Sequence, residues 1–280
     1  MKQKSLIITA DDFGLWPEVN DAVFAGYDAG ILTSAGLRVG APAAKTAMVS
    51  AAMRPDLGVG LHLVLCGGTA TLPSRDIPNL VDSSGRFVER PLEAIWLYRR
   101  GGGLREELKA EIRAQIERFL ASGLFLTHIS SVYHLHLHPT VLAIIRELAC
   151  EYPISAIRKP CGGLWRFSRH RALPGWQRRS EAIVVRPMLA WGRLRARAFA
   201  GPDRVEPLNR VRPCTEYGLA ARLREVGPGT TELICHPGSL LGRFDGVGEA
   251  AAVTSSTVRD ALACSDLEMI SYRDLAEGMG

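Results

Sequence analysis

The sequence lacks the features that mark secreted, disulfide-stabilised and membrane-spanning proteins. Its six cysteines, at positions 66, 150, 161, 214, 235 and 264, include no C-x-x-C pair, which argues against a disulfide framework or a cysteine zinc site. The longest uncharged stretch, residues 57–74, contains four glycines and a proline and is unlike an apolar helix of about 20 residues. The apolar run Leu6–Ala10 is too short for a secretory signal and ends at two aspartates. We therefore expect a protein of the reducing cytoplasm.

The composition is that of an ordinary globular protein. The chain has 280 residues, of which 47% are hydrophobic and 22% charged, so it can bury a substantial core. There is no internal repeat and no clean linker. We therefore expect residues 1–280 to form one domain.

Apolar runs rich in β-branched residues alternate with helical periodicities along the chain. The first run, Ser5–Ala10, is typical of a strand buried on both faces, and Pro17 and Gly30 bracket the helix predicted after it. Further strands are predicted at residues 31–39, 57–65, 124–130, 154–157, 231–235 and 267–272, and further helices at 42–53, 104–122, 139–150, 216–226 and 257–263. Such βα units predict an α/β fold, most simply a TIM-like (β/α) barrel with seven strands or an irregular number.

The charge is distributed unevenly. Residues 158–212 hold 14 Lys/Arg and 3 Asp/Glu, a net charge of +11, whereas the rest of the chain has a net charge of −6. Trp176, Trp191 and Phe199 interleave with the arginines of this basic insert. A solvated helix face, an anionic membrane surface and RNA remain alternative explanations of this pattern.

Two acidic residues, Asp11 and Asp12, directly follow the first predicted strand. The carboxyl ends of barrel strands carry the active sites of such folds. Neighbouring carboxylates are costly to bury together unless a cation compensates them. The alternative is that one of them caps the helix that begins near Pro17.

Histidines are predicted at the same edge of the fold. His62 lies within a predicted strand, where a hydrogen-bonded core histidine is the alternative, and His236 ends another strand. His134, His136 and His138 alternate in HLHLHP, and period-two geometry would place all three imidazoles on one face of an extended segment. Carboxylates and imidazoles together suit zinc or a similar divalent metal.

The motifs ADDFG (10–14), LTSAGL (32–37), GLHL (60–63), HLHLHP (134–139), IRKP (157–160) and HPG (236–238) resemble those of the YdjC-like carbohydrate deacetylases. The resemblance covers most of the chain and implies a TIM-like fold that hydrolyses N-acetyl groups of sugars with one divalent metal. Within that family the sequence is most similar to the deacetylase associated with hopanoid biosynthesis, which implies an N-acetylglucosamine substrate carried by a hopanoid lipid.

The resemblance also implies roles for individual residues. Asp12 and His62 would be metal ligands, Asp11 the catalytic base and His236 the acid. Ser130 and Val132 stand where the family has the Asp and the His of a D-x-H motif, and that His is the third ligand. His134 is the nearest replacement, although it lies two residues farther, roughly 6.5 Å along an extended chain, and would need a bulge.

The remaining expectations concern substrate and partners. Arg158 would hold Asp11 or the sugar, with a surface arginine as the alternative, and His136 and Trp191 would contact the substrate. Zinc is the expected metal, with magnesium as the alternative. The expected partners are an amino sugar or glycolipid and the inner face of the membrane as a peripheral surface, without nucleic acid. A degenerate, non-catalytic lipid-binding protein is the competing function, whereas the amidohydrolase pattern, with H-x-H after the first strand, does not match.

Overall fold

The computed structural model describes residues 3–160, 175–208, 214–241 and 245–277. The predicted basic insert therefore lies partly outside the described residues, at 161–174 and 209–213. Within the described ranges strands and helices alternate along the chain, which confirms the predicted α/β class.

The strands form one parallel sheet that curls into part of a barrel. They are β1 (Lys4–Phe13), β2 (Ser34–Leu37), β3 (Gly58–Leu63), β4 (Ile129–Ser131), β5 (Arg204–Pro207), β6 (Gly229–Cys235) and β7 (Glu268–Met269). Their order is β4-β3-β2-β1-β6-β5, and β7 pairs with β1. Leu6, Ile7 and Ile8 at the centre of β1 have no exposed surface, as expected of a strand covered on both faces. The predicted TIM-like architecture is confirmed.

Helices follow the strands and bury their apolar sides. They are α1 (Pro17–Asp28), α2 (Ala44–Ala52), α3 (Pro91–Leu97), α4 (Gly103–Leu120), α5 (Pro139–Leu148), α6 (Gly175–Arg195), α7 (Glu216–Leu223), α8 (Gly246–Val253), α9 (Ser256–Ala263) and α10 (Tyr272–Glu277). In α4 an i, i+4 series of apolar residues, Leu104, Leu108, Ile112 and Ile116, is buried in the core, and Leu120 at its end is partly buried. Among the helices of the described ranges, none combines the length and apolarity needed to cross a bilayer.

Several predicted strands are shorter than expected. The strand predicted at 31–39 is Ser34–Leu37, the one predicted at 124–130 is Ile129–Ser131, and the one predicted at 267–272 is Glu268–Met269. Residues 154–157 form isolated bridges instead of a strand. The Ile129 N–H donates to the Ala156 carbonyl, and the Ile157 N–H donates to the Ala200 carbonyl, both at 3.0 Å. These bonds, together with that from the Arg158 N–H to the Ile129 carbonyl at 3.0 Å, carry the chain past the edge of β4 and fix the backbone at Arg158.

Candidate active site

The carboxyl end of β1 brings two adjacent carboxylates to one place. Neighbouring residues of a regular strand point to opposite faces, but Asp12 has a φ of 63°, and the pairing with β2 shifts register between Ala10 and Phe13. As a result, Asp11 Oδ1 lies 3.6 Å from Nδ1 of His62 and Asp12 Oδ1 lies 3.9 Å from its Nε2. The N-cap of α1 is Trp16, which makes no side-chain capping bond, so the helix-cap alternative for the aspartates is wrong.

A glycine on β2 makes room for this approach. A Cβ atom at Gly36 would lie 3.0 Å from Asp11 Oδ1 and 3.3 Å from the His62 ring. Both contacts are with groups whose positions are fixed by burial, because Asp11 and His62 are at most 4% exposed. Any larger residue at position 36 would therefore push the carboxylate and the imidazole apart.

Asp11 is held by a buried ionic network. The Arg158 guanidinium donates two hydrogen bonds to Asp11, at 2.7 and 2.9 Å, and also donates to Glu232, at 2.8 Å from Nη2. The Tyr272 hydroxyl donates to the other Glu232 oxygen at 2.7 Å, and the Tyr272 ring stacks on His128. Because Arg158 and Glu232 have no exposed surface, the surface-arginine alternative is wrong.

The charges of the network keep both aspartates ionised. Burial by itself would raise the pKa of Asp11, but the Arg158 guanidinium outweighs it and holds that pKa well below its ordinary value. For Asp12 burial also acts to raise the pKa, and Arg38 is the main group that lowers it overall. Two like charges can therefore coexist at this strand end because guanidinium groups compensate them.

His62 is a neutral imidazole with a partner for Nδ1. Its Cα pairs with that of Ser130 on β4, and its Nδ1 lies 2.8 Å from the Ser130 hydroxyl oxygen. Burial lowers the pKa of His62 to about 4, so the ring is uncharged at neutral pH. With Nδ1 engaged by Ser130, Nε2 is the nitrogen that faces Asp12.

These donors suit a divalent cation in part. Asp12 Oδ2 is buried without a hydrogen-bond partner, and the other oxygen of the same carboxylate lies 3.9 Å from His62 Nε2. A carboxylate and a neutral imidazole are typical ligands of zinc. However, the described residues contain no group of three His, Cys, Asp or Glu side chains that could hold one ion. Asp12 and His62 thus supply two ligand positions, and the third position, predicted for His134, stays a prediction.

The histidine segment does not have the predicted extended form. Residues Val132–Leu137 form a 3₁₀ turn in which Tyr133 and His134 both have a φ of 54°. The prediction that His134, His136 and His138 share one face is therefore wrong. A left-handed pair of residues without glycine turns the chain sharply, so each imidazole has different surroundings.

The three imidazoles serve separate contacts. His134 is buried and packs edge-to-face against the His136 ring, with centroids 5.9 Å apart. His136 uses both ring nitrogens, on the Ser131 hydroxyl and on the Arg158 carbonyl, each at 2.8 Å. This geometry does not support substrate binding by His136, which stays a prediction. His138 caps α5 by accepting the Thr140 N–H.

His236 lies at the mouth of the site, after β6. Its backbone N–H donates to Glu249 at 2.5 Å, and its residue is half-buried, in contrast to the buried aspartates. His236 is among the groups that lower the pKa of both Asp11 and Asp12, so its imidazole lies near the two carboxylates. Gly238 ends this turn with a φ of 70° and packs against the backbone of Glu18, where a Cβ would lie 2.4 Å from the carbonyl oxygen.

The insert helix α6 buries part of its apolar side inside the protein. Val185, Met188 and Leu189 belong to the core and are at most 8% exposed. Trp191 is 39% exposed, and the Arg195 guanidinium lies 5.5 Å from its ring centroid. The three buried side chains are not available to a membrane surface, and the predicted contact of Trp191 with substrate stays a prediction.

Three residues of the site were not predicted from the sequence. Arg38 lies 3.2 Å from Asp12, and Glu232 and Tyr272 support Arg158. A charged residue within an apolar run indicates a buried charge that needs a partner, and the sequence has such a residue in LRVG for Arg38 and in ELIC for Glu232.

Comparisons with known proteins agree with the geometry. A carbohydrate deacetylase of Brevibacillus brevis is 42% identical over 149 residues, which are 53% of this chain and 57% of that protein. A carbohydrate deacetylase of Clostridium beijerinckii is 25% identical over 280 residues, covering 96% of this chain and 99% of that protein. A crystal structure from Enterococcus faecalis V583 superposes with a TM-score of 0.72 at 24% identity and covers 98% of this chain and 99% of its own, which shows the fold. The family model described as YdjC-like protein matches residues 5–264. The chain therefore belongs to the YdjC-like protein family.

Proposed function

We propose that this protein is a metal-dependent N-deacetylase that removes acetyl from an N-acetylglucosamine unit, carried by a hopanoid lipid. Its relatives are carbohydrate deacetylases, and the match covers little more than half of the Brevibacillus protein. The observation that carries the proposal is the ionised Asp11, held in two hydrogen bonds by Arg158 beside the Asp12 and His62 pair. The hopanoid carrier rests on the sequence resemblance alone.

A divalent cation would be held by Asp12 and His62, with His134 as the proposed third ligand. Zinc is the proposed metal and magnesium the alternative. When bound, such an ion polarises an acyl oxygen and lowers the pKa of a bound water. Ser130 would orient His62 for this role through its contact with Nδ1.

The protein's own residues would move the protons. Asp11 would accept the proton of the attacking water at a carboxylate oxygen, while Arg158 keeps the carboxylate ionised and oriented. Glu232 and Tyr272 would keep Arg158 in place from the far side. His236 would donate a proton to the departing amine nitrogen, and its half-buried position at the mouth leaves it accessible to substrate.

Acetate release tests this proposal. The full chain would be incubated with zinc and either N,N′-diacetylchitobiose or an N-acetylglucosaminyl lipid in mixed micelles, and acetate and free amine would be quantified. We expect equal amounts of both products, faster release from the lipid, and a loss of about 10²-fold or more in kcat in His236→Asn. Absence of acetate release from both substrates, or equal rates for wild type and variant, would overturn the assignment.

A non-catalytic lipid-binding protein is the second candidate. Ser130 and Val132 favour it, together with the incomplete cluster of metal-binding side chains in the described ranges. Binding of the N-acetylglucosaminyl lipid without any acetate release, at saturating zinc, manganese or magnesium, would support this candidate and reject the enzyme.

Peripheral binding to the inner membrane face is part of the proposal. A test by point substitution is preferable to deletion of α6, because this helix contributes buried Val185 and Leu189 to the core. Trp191→Ser tests the exposed part of α6 instead. Trp96→Ser is a matched control, since Trp96 is 56% exposed on α3 and also lies near an arginine, Arg99. Wild type and Trp96→Ser should co-sediment with phosphatidylglycerol vesicles, and Trp191→Ser should stay in the supernatant. Equal co-sedimentation of all three proteins would reject membrane binding through α6.

A further inference from the structure

A second buried arginine, Arg38, lies at the candidate metal site. It directly follows β2 and is 5% exposed. Its backbone N–H donates to the Phe13 carbonyl at 2.9 Å, which fixes the chain next to the strand end that carries Asp12. Its Nη1 lies 3.2 Å from Asp12 Oδ1.

The loop after β3 encloses the guanidinium. Arg38 Nη2 lies 3.5 Å from the Gly67 carbonyl oxygen, and a Cβ atom at Gly68 would lie 3.2 Å from the same nitrogen. The side chain is thus packed in one orientation, with its positive charge against Asp12.

The two carboxylate oxygens of Asp12 have different surroundings. Oδ1 receives the Arg38 contact, whereas Oδ2 is buried without a hydrogen-bond partner. Arg38 therefore compensates the charge of Asp12 in the absence of any other cation and leaves one oxygen available to a ligand.

The balance of formal charges has a consequence for a divalent ion. Asp11, Asp12 and Glu232 carry three negative charges, and Arg38 and Arg158 carry two positive charges, so these five side chains sum to −1. Without Arg38 the sum would be −2, which matches a divalent cation. In a buried site such a charge near the ion is weakly screened.

We infer that Arg38 is a resident counter-cation of Asp12 that holds the metal site together when it is empty and weakens its affinity for divalent metal. The inference rests on the proposed function, because it takes Asp12 and His62 as metal ligands. It assigns Arg38 as the residue that sets metal affinity, and it predicts that neutral substitutions tighten binding.

Binding of Mn²⁺ alone to the chelator-stripped full chain tests the inference. Free Mn²⁺ would be measured by electron paramagnetic resonance for wild type, Arg38→Met, Arg38→Gln and Arg38→Lys. Arg54→Met is the matched control, since Arg54 pairs with Asp28 at 2.8 Å far from the site. We expect Arg38→Met and Arg38→Gln to bind Mn²⁺ at least about tenfold more tightly than wild type, with Arg38→Lys and Arg54→Met close to wild type.

Thermal unfolding provides a second readout and controls for folding. Without metal, Arg38→Gln should melt below wild type, because Asp12 loses its counter-charge; saturating Mn²⁺ should raise its Tm by more than it raises that of wild type. Adding Asp12→Asn to Arg38→Gln should abolish the gain in Mn²⁺ affinity. Unchanged or weaker Mn²⁺ binding in both neutral variants, or no saturable binding in any protein, would overturn the inference. Failure of the proposed function is distinguishable, since it would appear as saturable Mn²⁺ binding without acetate release.

Discussion

Replacing Arg158 by methionine should destabilise the protein severely. The side chain has no exposed surface and holds Asp11 and Glu232, which are 4% and 0% exposed. Removing one partner of a buried ion pair typically costs about 3–5 kcal/mol, because the remaining charge is left uncompensated. Here two carboxylates lose their shared cation, so we expect a loss at the upper end, about 5 kcal/mol. A loss of that size is a large part of an ordinary domain stability of about 5–15 kcal/mol.

A double-mutant cycle separates this ionic effect from the loss of packing. Glu232→Gln keeps the shape of the side chain and leaves Arg158 paired with Asp11, so we expect a cost of about 1–2 kcal/mol. In Arg158→Met/Glu232→Gln one uncompensated carboxylate is absent, and the double variant should be more stable than additivity predicts by about 1–3 kcal/mol. Urea unfolding followed by circular dichroism at pH 7 measures all four free energies.

Acidification gives the cycle a second test. The pKa of Asp11 lies below its ordinary value of 3.8 in the wild type, and loss of Arg158 should raise it. A folded-state pKa above the unfolded value stabilises the variant as pH falls, so the gap to wild type should narrow between pH 7 and pH 4. Arg86→Met is the control, because Arg86 pairs with Glu89 at 2.8 Å with both side chains more than half exposed, and it should lose about 1 kcal/mol or less. Additive free energies together with a gap independent of pH would refute the ionic network.

Two further predictions concern single residues. Burial lowers the pKa of His138 from 6.5 to about 4, so the unfolded chain takes up a proton in this interval and the folded chain does not. The free energy of unfolding should fall by about 2 kcal/mol from pH 7 to pH 5 through this residue, and His138→Asn, which can still cap α5, should lack that part of the dependence in urea titrations. Gly36→Ala should displace Asp11 and His62, lower the free energy of unfolding by about 1–3 kcal/mol and lower kcat. Gly103→Ala is the control, because a Cβ atom there meets no atom within 4 Å, and it should change neither stability nor kcat. Equal stability and equal acetate release in both variants would contradict the packing at Gly36.

The architecture could be predicted because it follows from periodicity. The continuous apolar run of β1 indicates a strand buried on both faces, and the apolar residues of α4 at helical spacing indicate a helix buried along one side; both are observed. The positions of Asp11, Asp12 and His62 could also be predicted, since the carboxyl ends of parallel strands meet at one edge. These signals are local in the chain.

The histidine turn and the counter-charges could not be predicted in this way. Tyr133 and His134 adopt left-handed backbone conformations that residues other than glycine rarely take. The alternating pattern HLHLHP indicates an extended chain and contains no glycine that would indicate this turn. Likewise, the pairing of Arg158 with Glu232 joins residues 74 positions apart. The curl of the sheet brings these two residues together, and no local spacing in the sequence predicts their pairing.

We propose above all that Asp11 acts on an N-acetyl amide beside a metal held by Asp12 and His62. The decisive experiment is hydrolysis of an N-acetylglucosaminyl substrate in H₂¹⁸O with mass analysis of the acetate. We expect wild-type protein with zinc to release acetate carrying one ¹⁸O atom, and Asp11→Asn and His62→Ala, each shown to be folded, to release at least about 10²-fold less. Equal release of labelled acetate by Asp11→Asn and wild type would contradict it.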